Sequence, residues 1–422
     1  MTRSEQQRNS GIARLAGMAG LLILLVTAVP AQAQTFQVIH DFTDGADGAY
    51  PEGRLTIDGG GHLYGTTYSG GIEWQGGPGG VVFKMSPEGS GWISSPIYSF
   101  TQNSNGDDPA AGVLFGPDGL LYGTTSNGGT VFAMRPSPTS PPSFIAPWMI
   151  DFLYDFPLSK DHPAGDLVFD KAGNIYGATW TGGSDGCFDN QGCGMIYELT
   201  PIGGGGWQET TLYIFQGGTD GAYPTGVIFD SAGNLIGTAV EGGAYDAGVI
   251  FQLTPSGNGW TESVLYNFDN KGNGGYAPAA ALISDASGNF YGSTDFTPSP
   301  TYSGTIFEFS PSNGGWSYTV LAQIPSKYQL GPSAPLTMDA AGNLYGTIGN
   351  FSYGQYPGAV FKLTRGNSGW TFTSLHDFTC GSDGCSPSST VAFGANGNLY
   401  GTAVYGGTCG GTGCGVVWEI TP

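Results

Sequence analysis

The chain has 422 residues, of which 75 are Gly and 27 are Pro, together about a quarter, while 39% are apolar and 13% aromatic. Gly and Pro at that density exclude a coiled coil or helical bundle, and the apolar and aromatic content excludes a disordered chain. With 12 Lys+Arg against 33 Asp+Glu, a net charge of −21 excludes a nucleic-acid binder, because the phosphates would be repelled.

Residues 1–33 read as a secretory signal peptide. Arg3, Arg8 and Arg14 make a positive start, Leu15 to Val29 is the apolar stretch, and Ala31-Gln32-Ala33 is an A-x-A cleavage site. The apolar run is short for a membrane span, and Gly17 and Gly20 interrupt it. No Cys follows it as a lipoprotein would need, and Ile420-Thr421-Pro422 carries no sorting tail. Removing three Arg and Glu5 leaves 9 basic and 32 acidic residues, an acidic mature chain. The expected protein is secreted (extracellular or periplasmic), monomeric and without a membrane span after cleavage.

From residue 34 onward one unit is written seven times. A Tyr-Gly pair recurs at Tyr64, Tyr122, Tyr176, Tyr291, Tyr345 and Tyr400, with Ile236-Gly237 in the remaining slot, at spacings of 54 to 60 residues. Upstream of each pair stands a proline: Pro51, Pro109, Pro163, Pro224, Pro278, Pro332 and Pro387. Strand one follows that proline. A turn, in most copies D-x-x-G-N as in Asp170-Lys171-Ala172-Gly173-Asn174, joins it to strand two, the Leu-Tyr-Gly-Thr segment. Strand three carries Gly, two β-formers and an aromatic, as in Gly80-Val81-Val82-Phe83. Strand four begins at Trp92, Trp148, Trp207, Trp260, Trp316 and Trp370 in copies one to six. The Gly after each Tyr is expected to let neighbouring sheets approach closely.

Four short antiparallel strands per copy predict an all-β, seven-bladed β-propeller. The seventh copy stops after strand three, at Trp418-Glu419-Ile420, and its missing strand lies at the other end of the chain. Residues 34–42 align without a gap on 370–378, so strand 35–42 is expected to complete the last blade and close the ring. Residues 34–422 then form a single domain.

The run Asn343-Leu344-Tyr345-Gly346-Thr347 followed by Gly358-Ala359-Val360-Phe361-Lys362-Leu363-Thr364 resembles the GloVer (Gloeobacter/Verrucomicrobia-type) tandem repeat of exported bacterial proteins. The resemblance covers the whole mature chain. It implies an exported protein and offers no catalytic residue to carry over; the C-terminal anchor signal common in that family is missing from this sequence.

All six cysteines fall in three close pairs: Cys187/Cys193, Cys380/Cys385 and Cys409/Cys414. Six Cys allow fifteen connectivities, but proximity and an exported chain favour three local disulfides. No C-x-x-C or Cys/His spacing suggests a metal.

No H-E-x-x-H, P-loop or EF-hand spacing occurs. Gly182-Gly183-Ser184-Asp185-Gly186 matches G-x-S-x-G, but it lies in a Cys-bounded hairpin loop and not at a strand-to-helix turn. His40 and His376 are equivalent strand-four residues and His62 fills a turn slot, so all three read as structural; only His162 lies in a loop that could face a ligand, and a plain loop His is the competing reading. Function is therefore expected where the copies differ, in the loops from strand two to three and from strand four to the next blade, which open on one face. Those loops hold the candidate ligand residues Trp74, Asp107, Asp108, Asp161, His162, Trp180, Asp220, Tyr223, Tyr302 and Tyr353. Aromatic faces among acids suit sugar rings, and the acids could also hold Ca²⁺, although Asp-Gly pairs such as Asp220-Gly221 equally serve as turns. The leading expectation is non-catalytic binding of an extracellular glycan or protein through this face, with no cofactor required. The alternative is a polysaccharide lyase or hydrolase with carboxylates at the channel mouth, such as Asp108 or Asp161 near His162.

Overall fold

Each copy of the repeat folds into one four-stranded antiparallel sheet, and seven such sheets make a β-propeller. The computed structural model describes residues 34–72, 77–101, 106–138, 148–157, 161–187, 190–257, 259–272, 274–349, 357–367 and 369–422. The signal segment expected at 1–33 lies outside them. The first strand is β1 (Thr35–Asp41). Blade one is β2 (Thr56–Ile57), β3 (Leu63–Thr67), β4 (Pro78–Glu88) and β5 (Gly91–Thr101). Blades two to six repeat that order as β6–β9 (114–155), β10–β13 (163–214), β14–β17 (222–267), β18–β21 (283–325) and β22–β25 (337–377). Among the described residues no helix is long and apolar enough to cross a membrane.

The last blade combines both ends of the chain: β26 (Ala392–Phe393), β27 (Leu399–Ala403), β28 (Val416–Thr421) and β1. Thr35 pairs with Thr421 and Asp41 with Val416, the register that Asp377 and Ala359 adopt in blade six. Side chains reinforce this pairing. Gln37 donates to Glu419, the Thr408 backbone N–H donates to Asp41 at 2.9 Å, and Phe42 is completely buried. Phe36 stacks on His376 of blade six at 3.6 Å, so β1 also grips its neighbour. Both His40 and His376 are structural. Burial holds each imidazole below its ordinary pKa although Asp47 and Asp383 lie beside them at 3.3 and 3.2 Å.

The repeated residues each have one local task. In the D-x-x-G-N turns the Asp carboxylate caps its own hairpin: Asp170 accepts from the backbone of Ala172 at 2.8 Å and of Asn174 at 2.9 Å, and from the Asn174 side chain. Asp230, Asp285 and Asp339 repeat this pattern. The tyrosines pack between blades, edge-on to aromatics of the next one: Tyr64 on Phe115, Tyr122 on Phe169, Tyr176 on Phe229, Tyr345 on Phe393 and, across the closure, Tyr400 on Trp92. Pairs of this kind each add about 0.5–1.5 kcal/mol beyond the area they bury.

The glycine of Tyr-Gly does not do what the sequence suggests. It faces the aromatic ring of its own strand-three partner, Gly65 opposite Phe83 and Gly292 opposite Phe307, and a Cβ there would come within 2.6 and 2.5 Å of the ring. The close approach between sheets falls instead to the glycine that opens strand three. A Cβ on Gly248 would lie 2.5 Å from Pro278 Cδ of the next blade, and one on Gly358 2.6 Å from Pro387 Cδ. The invariant proline is thus the knob that the preceding blade's glycine accommodates.

The residue before that proline ties blades together. Tyr50 N–H donates to Cys414 of blade seven and its carbonyl accepts from Tyr68 of its own blade; Asp108 does the same between Gly79 and Ser126, and Ala277 between Ala247 and Asp295. Tyr50, Asp108, Tyr223, Ala277 and Ser386 all hold φ between 53° and 61°, a region that non-glycine residues rarely occupy. The paired hydrogen bonds over-determine it. Disulfides join Cys187 to Cys193, Cys380 to Cys385 and Cys409 to Cys414, the local pairing expected.

Candidate functional site

Strand one is the innermost strand of each blade, and the residues just after the seven prolines form the wall of a central cavity of about 870 Å³. All seven blades contribute. The wall is mostly small and uncharged, as in Ala110-Ala111-Gly112, Ala279-Ala280-Ala281 and Ser333-Ala334-Pro335. Blades one and three break that pattern with Glu52, Arg54 and Asp166. The Arg54 side chain runs past blade two, where a Cβ on Gly112 would lie 2.5 Å from Arg54 Cγ, and Nη1 reaches Asp166 Oδ2 at 2.8 Å.

The two variable loop sets do lie side by side at one end of this cavity. Short bridges join Ala49 to Ser69, Asp107 to Asn127, Tyr276 to Phe296 and Cys385 to Tyr405. At this rim Trp180 stacks on Tyr223 (5.3 Å between centroids, 20° between planes) and Tyr276 stacks on Phe296 (5.5 Å, 29°). Trp180, Tyr276 and Phe296 line the cavity; Trp180 stays 39% exposed while Tyr223, 7% exposed, supports it from behind. Glu241 and Asp246 of blade four, the blade between Trp180 and Tyr276, and Asp295 of blade five also line the cavity. His162 Nδ1–H donates to the Ser126 carbonyl at 2.7 Å, and the ring too lines the cavity.

On the side of Trp180 facing blade two, blades one and two bring acids together. Asp108 hydrogen-bonds Tyr68 and lies beside both Asp107 and Glu52. Burial raises the Glu52 carboxyl, with help from the Asp108 charge, to about 8. Glu52 keeps some contact with water through the cavity, but protein surrounds it on nearly every side, and that enclosure is what disfavours its charge. Burial and Asp107 together push Asp108 up to about 6 against the Tyr68 hydrogen bond, and Tyr68 itself rises to about 12, mainly through burial.

A pH effect follows with a defined sign. Below pH 4.5 Glu52 is protonated folded or unfolded; between pH 4.5 and 8 only the folded state holds the proton, so its contribution opposes folding increasingly as pH rises. The Glu52→Gln variant is therefore expected to melt above the wild type at pH 8 to 9, with the difference vanishing near pH 4. Equal differences at both pH values in a melting series would contradict the assignment.

The remaining candidates fall elsewhere. Asp220 accepts from Gln216 N–H at 2.9 Å and from the Tyr213 hydroxyl at 3.0 Å, its own turn, and does not line the cavity. Asp47 and Asp383 cap equivalent turns through Thr43 and Thr379. Asp161, 4% exposed, accepts from Gly183 N–H at 3.2 Å and fastens one loop to the other. Tyr302 is 39% exposed outside the cavity, and Trp74 and Tyr353 lie outside the described residues. Among the described residues no group of three or more His, Cys, Asp and Glu is arranged to hold a metal ion. Sequence reasoning missed Glu52 and Arg54, which lie between Pro51 and the short first strand of blade one, and Asp166, which lies within the first strand of blade three. Comparing the three residues after each proline across the copies would have exposed them.

The profile of the Gloeobacter/Verrucomicrobia repeat matches residues 25–188 and 163–418. No curated protein matches the chain. Solved structures similar to it include polysaccharide lyase Uly1, at 12% identity over 88% of this chain and 90% of that one, with a TM-score of 0.49. A candidate 6-phosphogluconolactonase from Bacteroides uniformis is 10% identical over 77% and 84%, with a TM-score of 0.48. A luciferin-regenerating enzyme is 11% identical over 92% and 95%, with a TM-score of 0.43. At these identities and scores the likenesses carry no argument about activity.

Proposed function

The chain belongs to the Gloeobacter/Verrucomicrobia repeat family, and for this member we propose an exported propeller that binds an extracellular glycan at the variable-loop end of its channel. One observation carries the reading: two stacked aromatic pairs, Trp180–Tyr223 and Tyr276–Phe296, border one cavity that carboxylates also line. Aromatic faces take the apolar side of a sugar ring, and acids accept from its hydroxyls. A cavity of about 870 Å³ is the size that small ligands and short oligosaccharides fill, whereas a protein partner would need a broader, flatter surface. Export is supported by the signal-like residues 1–33 and by three local disulfides.

The test is a glycan-array screen of residues 34–422, with and without Ca²⁺, followed by titration of the best binder. Trp180→Ala is expected to weaken that binding by about tenfold or more, at an unchanged melting temperature. Unaltered affinity would remove the aromatic rim from the account.

A second reading rests on Glu52, Asp108 and Tyr68. Two carboxyls with raised pKa values beside a tyrosine are what acid–base cleavage of a polysaccharide would use. Release of new reducing ends or unsaturated products, lost in Glu52→Gln and Asp108→Asn, would put catalysis in place of simple binding.

A further inference from the structure

Resting on the glycan reading above, we infer that the inner wall of the cavity recognises an uncharged sugar unit through Arg54 Nε, Ser388 Oγ and Glu52. The first observation is the repeat itself. A wall that served only to pack seven blades would repeat small neutral residues, and Arg54 and Asp166 depart from this at the third position after the proline, where other copies place Gly112, Val227, Ala281, Pro335 and Thr390. The second is hydrogen bonding. Arg54 Nε and Ser388 Oγ are both buried and have no partner among the described residues, and both belong to residues that line the cavity. Buried polar atoms are almost always paired, so two unpaired ones on residues of a shared cavity wall are groups that a small side-chain rotation would turn toward an occupant's polar groups.

The chemistry of that occupant follows from charge. Arg54 is neutralised by Asp166, and enclosure keeps Glu52 in its protonated form at neutral pH. The wall groups of this sector therefore offer N–H and O–H donors and oxygen acceptors without a free cation, the complement of a ring bearing neighbouring hydroxyls. A uronate or sulfated sugar would gain no free cation here, because Asp166 already holds the guanidinium, and it would face Glu241, Asp246 and Asp295 on the way in.

Calorimetric titration of residues 34–422 with neutral hexasaccharides (β-glucan, xylan and mannan) and with uronate ones (alginate and polygalacturonate) tests this. The neutral class is expected to bind about tenfold or more tightly than the uronates. Arg54→Lys keeps a cation for Asp166 but has no Nε–H, and Ser388→Ala removes one hydroxyl; each is expected to weaken neutral-sugar binding by about tenfold without lowering the melting temperature. A preference for uronates, or two folded variants that bind as the wild type does while Trp180→Ala does not, would overturn the inference and leave the glycan reading standing. Failure of the wild type to bind any sugar would overturn both.

Discussion

A chain shortened to residues 43–422 is expected to lose its cooperative unfolding transition and to aggregate. Without residues 34–42, β28 becomes an exposed edge carrying unpaired backbone groups, a template for pairing with another molecule. The loss is not confined to hydrogen bonds. Phe42 is fully buried against Phe83 of blade one, and Phe36 packs on His376 and Phe378 of blade six, so β1 seals both neighbours of the last blade. Replacing Phe42 alone by Ala would cost about 3–5 kcal/mol, a large part of the stability of an ordinary domain. Calorimetry and light scattering on the shortened chain provide the check, and a soluble protein with an unchanged melting temperature would show that the ring does not need its clasp. Adding a synthetic 34–42 peptide should restore part of the transition.

Gly248→Ala is expected to destabilise the fold by about 2–4 kcal/mol, the sum of a strained backbone and an overpacked blade interface. Its φ is +97°, and a Cβ would meet Pro278 Cδ at 2.5 Å and the carbonyl oxygens of Ala239 and Val240 at 2.8 Å. Two of those three neighbours are backbone atoms, which cannot swing aside. Gly233 in the same blade separates the two contributions, since its φ is +87° but nothing lies within 4 Å of an added Cβ. Gly233→Ala should therefore cost only about 1–2 kcal/mol. Denaturant midpoints for the pair provide the measurement, and equal losses would mean that the proline of the next blade does not press on Gly248.

The parts of this fold that could be read from the sequence are those whose physical cause recurs from blade to blade. The Asp of D-x-x-G-N in four copies, the Tyr-Gly pair in six and the proline in all seven each solve one local problem repeatedly, and the match of 34–42 to 370–378 reveals the clasp by the same logic. Spacing announces that a glycine is required without saying which neighbour requires it, and so the close approach was assigned to the wrong one: Gly65 makes room for Phe83, whereas Gly248 makes room for Pro278. The left-handed residues Tyr50, Asp108 and Ala277 carry no common side-chain signature, because hydrogen bonds from two different blades hold them. Within the site, Trp180, Tyr223, Asp108 and His162 were found as loop residues that vary between copies. Glu52 and Arg54 were missed because they vary in the short stretch between the proline and the first strand, which otherwise looks purely architectural.

Hydrogen–deuterium exchange on residues 34–422, with and without a saturating neutral hexasaccharide, bears most directly on where this propeller takes its ligand. Slowed exchange confined to the stretches around 50–54, 108–112, 162–166, 180, 276–281 and 388–390 is the predicted result. Protection at the D-x-x-G-N turns of the opposite face, or along the outer strands, would contradict it.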